Sequence, residues 1–210
     1  MKTRRFRPGA VSRAVVVGVL LWTLVFAGAA FARGKTVTLA STGDLFRISN
    51  PASFRLSSLN YWWYQVFSAL VRVNKDFKVV SDLAESWTVS DDGKTFTFNL
   101  RSGVKWHDGK PFSAEDVKFT YELMLNKDNR AGSSHWLYYG YIEGAAAYRA
   151  GKADSIKGLE VLGPAKIRIR LNAPYAAFLT VSAAQPIVPK HILGSVPVRK
   201  MIKHKFTHYP

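Results

Sequence analysis

The chain has 210 residues, 48% of them hydrophobic and 13% aromatic, which is enough to bury a core and too apolar for a chain disordered throughout. Its 30 Lys and Arg outnumber 14 Asp and Glu, and the formal net charge of +16 points to an anionic partner or surface. With no cysteine, these residues offer no disulfide, no thiol nucleophile, no thiolate-held zinc and no thiol to acylate.

Residues 1–32 carry Lys2, Arg4, Arg5, Arg7 and Arg13, then an apolar run over 14–31 broken only by Gly18, Thr23 and Gly28, then Ala30-Phe31-Ala32. A basic front, an apolar middle and small residues at the last and third-last positions form a secretory signal pattern, so cleavage is expected after Ala32. An uncleaved membrane anchor competes, since the run approaches the ~20 residues that span a bilayer. Beyond residue 32 there remain 25 basic and 14 acidic residues, still a basic chain.

Residues 36–40 alternate Val37 and Leu39 with threonines, which predicts a first strand, followed by a turn-forming Ser41-Thr42-Gly43-Asp44. Leu59, Trp62, Trp63, Val66, Phe67 and Leu70 recur at helical spacing; an aromatic stripe so spaced is core by default. A small strand-turn-strand follows over 70–80 through Asn74-Lys75-Asp76.

Residues 82–125 read as one continuous plan. Asp92-Gly93 predicts a two-residue turn, with Trp87 and Val89 alternating before it and Phe96, Phe98 and Leu100 after it, so each strand is expected to bury one face. A second turn at Asp108-Gly109 leads to Ser113, whose hydroxyl can cap a helix, and to Asp116 three residues later, with Phe112 and Val117 as a staple. Val117, Tyr121, Met124 and Leu125 then supply one apolar stripe.

Beyond this helix lies an aromatic cluster, Trp136, Tyr138, Tyr139 and Tyr141, which can line a cleft or pack between helices. Residues 142–150 are helix-like. Two strands follow at 156–161 and 166–171, joined by Gly163-Pro164, the second with Ile167, Ile169 and Leu171 on one face and Lys166, Arg168 and Arg170 on the other. Asn172-Ala173-Pro174 can start a further helix carrying Phe178, Leu179 and Val181, ended by the stretch 186–192.

No catalytic residue is assigned. The histidines, 107, 135, 191, 204 and 208, include no metal-binding spacing on a dependable helix, so no metal site and no cofactor are expected. Asp91-Asp92 and Glu115-Asp116 are explained by a turn and a helix start.

The segments Leu83-Ala84-Glu85-Ser86-Trp87, Asp92-Gly93-Lys94, Val104-Lys105-Trp106-His107-Asp108-Gly109 and Ser113-Ala114-Glu115-Asp116-Val117 together closely resemble the bacterial extracellular solute-binding proteins of family 5, the peptide- and nickel-type receptors of ABC importers. The resemblance runs from about Val37 to Ile192. It implies an α/β fold, the first-lobe part of a two-lobed periplasmic-binding-protein-like type II fold, with a mixed sheet and flanking helices. Residues 33–210 are then expected to be an incomplete amino-terminal lobe with the second lobe absent, a fragment or truncated form of a longer receptor.

The implied function is capture of an oligopeptide or similar solute outside the cytoplasm and delivery to membrane permease subunits, with no enzyme activity. Thr42 and Asp44, after the first strand, and Trp136 and Tyr139, in the aromatic cluster, are the expected ligand-facing residues. Trp87, Asp92, Gly93, Phe96, Phe98, Asp108, Gly109, Ser113 and Asp116 are expected to be scaffold. The alternative is a basic secreted protein that binds a polyanion or cell surface through Lys166, Arg168, Arg170, Arg199, Lys200, Lys203 and Lys205. No nucleic-acid partner is expected, because no aromatic residues alternate with the basic strand row.

Overall fold

The computed structural model describes residues 66–129, 136, 138–183 and 185–207. The expected signal segment, the strand at 36–40, Thr42, Asp44 and most of the helix expected from Leu59 onward lie outside these residues. Strands β1 (Val71–Val73) and β2 (Val79–Ser81) pair on their own. Strands β3 (Ala84–Val89), β4 (Thr95–Leu100), β5 (Leu159–Gly163) and β6 (Lys166–Arg170) form a second sheet in the order β3-β4-β6-β5. Every described pairing is antiparallel.

The helices are α1 (Ala114–Leu125), α2 (Ala145–Arg149), α3 (Phe178–Ala183) and α4 (Lys190–Leu193), followed by 3-10 turns at Val198–Lys203 and Lys205–Thr207. This is a mixed α/β partial domain with helices flanking antiparallel sheets.

The core forms where β4 and β6 meet α1. Phe96 pairs with Ile169 and Phe98 with Ile167, so four apolar side chains share one face, and all four are buried. Helix α1 packs on β5 and β6 and presents Val117, Tyr121, Met124 and Leu125, the expected stripe, each fully buried. Side chains of this size contribute roughly 1.5–3 kcal/mol each when taken from water. Phe178 of α3 closes one end of the core against Phe96, ring centroids 4.7 Å apart.

Four local expectations are corrected. The β3–β4 hairpin does not turn on two residues: Ser90 N–H donates to Thr95 O at 2.9 Å and Gly93 N–H to Ser90 O at 2.8 Å, leaving residues 91–94 as the loop. Gly93 alone in that loop takes a positive φ, +66°, while the Asp92 carboxylate accepts from Ser90 Oγ at 2.5 Å and Lys94 N–H at 3.1 Å. Local side-chain bonds of this kind select a wider turn than the dipeptide suggests.

Strand β3 does not bury a full face either. It is an edge strand with a register shift between Ala84 and Ser86; Ala84 is buried, Trp87 is half-buried opposite Phe98, and Val89 is exposed. The helix expected over 142–150 is confined to α2, because Ile142 bridges Leu171 and Gly144 enters the helix at φ +80°. Asn172 does not cap a helix: its N–H donates to Tyr141 O at 2.8 Å, and α3 begins at Phe178.

Candidate functional site

The site is assembled around the start of α1. Ser113 stands at the N-cap in an extended conformation, and its N–H donates to Asp116 Oδ2 at 2.9 Å, completing the expected capping box. Asp116 is buried, and its other oxygen, Oδ1, accepts from Lys190 N–H at 2.8 Å. One turn further on, Thr120 Oγ1 donates to Asp116 O at 2.7 Å and accepts from Val188 N–H at 3.0 Å. Two side chains of α1 therefore satisfy the backbone of the 188–190 segment, which has no strand partner there among the described residues.

That fixed segment carries His191 over the second turn. Gly109, φ +84°, closes it with N–H to Trp106 O at 2.9 Å, and Asp108 Oδ1 accepts from Lys110 N–H at 3.1 Å. Asp108 Oδ2 meets His191 Nε2 at 2.8 Å, and the hydrogen bond to His191 is the main reason its carboxyl sits below the usual carboxylate range. Trp106 stands between these elements, 6.1 Å from the Phe112 ring and 6.3 Å from the His191 ring.

Beside Trp106 is a cavity of about 200 Å³ lined by Phe67, Leu83, Val104, Phe112, Ile187 and Phe206. A second hollow of about 440 Å³ shares Trp106, His107 and Phe206 and adds Asp108, Pro189 and Lys205. The Trp106 indole N–H is buried and has no acceptor among the described residues. The first cavity has a mostly apolar wall, and polar groups, His107 and Asp108 among them, stand at the edge of the second. Among the described residues no group of three His, Asp or Glu can hold a metal ion.

Of the expected ligand-facing residues, Trp136 is half-buried, with the Arg149 guanidinium 5.7 Å from its ring centroid. Gly140 lies under it: a Cβ there would come within 2.9 Å of the indole, so only glycine lets the ring close down. Tyr139 packs inward, 2% exposed, edge-to-face on Tyr121 at 5.2 Å. Neither residue lines the cavities at Trp106.

The basic strand row is internally neutralised in two of its three positions. Arg168 pairs with Glu160 at 3.2 Å, and Arg170 pairs with Glu143 at 2.9 Å and also with Glu160. Glu143 is held below the ordinary glutamate range by Lys157 and then Arg170. Arg199 is taken up by Asp128 at 2.7 Å. Lys166, Lys200, Lys203 and Lys205 are exposed and form no ion pair among the described residues. Of the cations named for the polyanion reading, Arg168, Arg170 and Arg199 are therefore paired, and the four lysines are not.

Sequence reasoning missed the His191–Asp108 pair, the Phe206 wall and the second task of Asp116. The His-Asp-Gly turn and the Pro-Lys-His stretch were both visible, but nothing in their spacing joins them across 83 residues.

The family model for bacterial extracellular solute-binding proteins, family 5 (Middle) matches residues 78–209. The oligopeptide-binding protein OppA of Bacillus subtilis is 32% identical over 127 residues, 60% of this chain and 23% of that protein. Di/tripeptide-binding protein 1 of Pseudomonas aeruginosa is 40% identical over 121 residues, 54% of this chain and 22% of that protein. Among solved structures, NikZ of Campylobacter jejuni in complex with Ni(L-His) has a TM-score of 0.59 at 31% identity, with 78% of this chain and 29% of that one covered. The murein tripeptide binding protein MppA of Escherichia coli has a TM-score of 0.63 at 25% identity, covering 72% and 30%. The chain thus spans less than a third of the length of the relatives it matches. It belongs to family 5 of the bacterial extracellular solute-binding proteins.

Proposed function

We propose that residues 33–210 carry first-lobe structure of an extracytoplasmic receptor that captures a peptide or similar solute and passes it to the permease subunits of an ABC importer. On this reading the protein does no chemistry on its cargo, and residues 1–32 are a signal peptide cleaved after Ala32. The supporting observation is the family match over 78–209, which takes in the β3–β4 hairpin, the capped helix α1 and the 186–192 stretch it holds.

The rigid part of the site suits such a receptor. Asp116 and Thr120 fix the 188–190 backbone, so the walls beside Trp106 are held in place before any solute arrives, which lowers the ordering cost of binding. Of the four residues expected to face the ligand, Thr42, Asp44 and Trp136 are the proposed ligand-facing residues, while Tyr139 is buried against Tyr121.

Calorimetric titration with di-, tri- and oligopeptides and with a nickel–histidine chelate tests the reading. Binding by one of these classes, weakened by Trp136→Ala, is the expected result. No heat and no rise in melting temperature with any of them would remove it. Intact-mass measurement of the exported protein tests the cleavage: a mature chain beginning at Arg33 is expected.

A further inference from the structure

Phe77 is the one non-glycine residue among those described with a positive φ, +57°, and it is 89% exposed. It lies in the loop 74–78 that joins β1 to β2, and Asn74 dictates the shape of that loop. Phe77 N–H donates to Asn74 O at 3.0 Å; Asp76 and Lys78 N–H groups donate to Asn74 Oδ1 at 3.0 and 2.9 Å; Asn74 N–H donates to Lys78 O at 2.9 Å. A turn so tied ends in a left-handed residue, the place glycine normally takes. Here a bulky ring occupies it, and no aromatic ring among the described residues meets it.

The fold gains nothing from this arrangement, since the ring is in water and the backbone is in a region that side chains disfavour. A use arises when something outside the protein covers the ring. Lys75 and Lys78 flank it, both exposed and without an ion pair among the described residues. Val73 and Val80 add exposed apolar surface at the base of the loop. Arg72 is occupied by Asp82 at 2.8 Å, and Asp76 is the only acid in the loop.

One ring between two free ammonium groups matches an anionic phospholipid surface, where aromatic rings partition among the headgroups and lysines reach the phosphates. The excess of 25 basic over 14 acidic residues beyond residue 32 adds long-range attraction to the same surface. We propose that the tip of the β1–β2 hairpin is a membrane-contact point, with Phe77 entering the headgroup layer of an anionic bilayer and Lys75 and Lys78 bound to its phosphates. This contact is separate from the walls at Trp106, and it draws on none of the proposed ligand-facing residues.

The absence of cysteine gives a local readout, because one introduced thiol is the only labelling site. In the full chain, Asp76→Cys carries a polarity-sensitive dye, and Asp91→Cys in the β3–β4 loop is the control. Vesicles of phosphatidylglycerol and phosphatidylethanolamine should shift the dye at 76 to the blue and leave the dye at 91 unchanged; phosphatidylcholine vesicles should shift neither. Phe77→Gly, which suits the left-handed backbone and so keeps the fold, should weaken the response at 76 about tenfold. Lys75→Glu with Lys78→Glu should abolish it. An unshifted dye at 76, a shift that Phe77→Gly leaves intact, or a shift seen only when the vesicles carry a membrane protein would each overturn the proposal.

Discussion

Lys190 N–H donates to Asp116 Oδ1 at 2.8 Å, a bond between residues 74 apart in sequence. The same carboxylate caps its own helix through Oδ2, so one buried side chain starts α1 and holds the segment that leads into α4.

Replacing Asp116 with Ala removes both bonds and leaves two backbone donors without an acceptor. A lost cap costs about 1 kcal/mol and a buried unsatisfied donor about 1–3 kcal/mol, so Asp116→Ala should destabilise by about 2–4 kcal/mol. Ser113→Ala, which leaves the Lys190 bond intact, should cost about 1 kcal/mol. Chemical denaturation of the two variants distinguishes them; equal losses would mean that the Lys190 bond contributes nothing.

The legible half of Asp116 was the local half. Ser113 and Asp116 stand at capping-box spacing, and Val117, Tyr121, Met124 and Leu125 stand at helical spacing; geometry within one turn decides both, so the sequence displays them. The alternation of Phe96, Phe98 and Leu100 is likewise local. What could not be read depends on partners set by topology. Asp116 Oδ1 answers an amide 74 residues away, and Arg168 and Arg170 look like a free cationic row until β5 and the 142–144 turn bring Glu160 and Glu143 against them. Asp92-Gly93 misled because Ser90, two residues earlier, bonds Asp92 and widens the loop. In the candidate site, Asp108-Gly109 was visible as a turn, whereas its His191 partner and the Phe206 wall were not.

Phe77→Gly should raise stability. The native φ of +57° is strained for phenylalanine and ordinary for glycine, and the ring is 89% exposed, so little packing is lost. Relief of a left-handed conformation is worth about 1 kcal/mol, reduced by the greater unfolded-state freedom of glycine. A net gain of a few tenths of a kcal/mol is expected in urea unfolding. Loss of stability on this substitution would show that the ring packs against the protein.

Gly158 sits where three backbones converge. Its N–H donates to Glu143 O at 2.7 Å, its carbonyl accepts from Arg170 N–H at 2.8 Å, and Glu143 N–H donates to Arg170 O at 2.9 Å. A Cβ on residue 158 would lie 2.6 Å from Arg170 O and 2.9 Å from Glu143 N, both backbone atoms with no freedom to rotate away. Gly158→Ala should therefore destabilise by about 2–3 kcal/mol through forced separation of β6 from the 142–144 turn. Gly163→Ala, where a Cβ meets nothing within 4 Å, is the matched control and should be near neutral.

Glu122 gives the pH dependence its sign. Burial raises its carboxyl above the ordinary glutamate range, while the bond from Ile156 N–H at 3.2 Å and Lys118 at 4.0 Å pull the other way and are outweighed. A carboxyl raised on folding contributes most when protonated, and that contribution is lost as pH rises through its folded titration. Glu122→Gln has no proton to lose and keeps an oxygen for the Ile156 amide. The variant should thus be more stable than the native chain at about pH 7, and the difference should vanish at about pH 4, where both are neutral. Urea midpoints measured across that range check it; a native chain that gains on the variant as pH rises would mean that Lys118, not burial, governs this carboxylate.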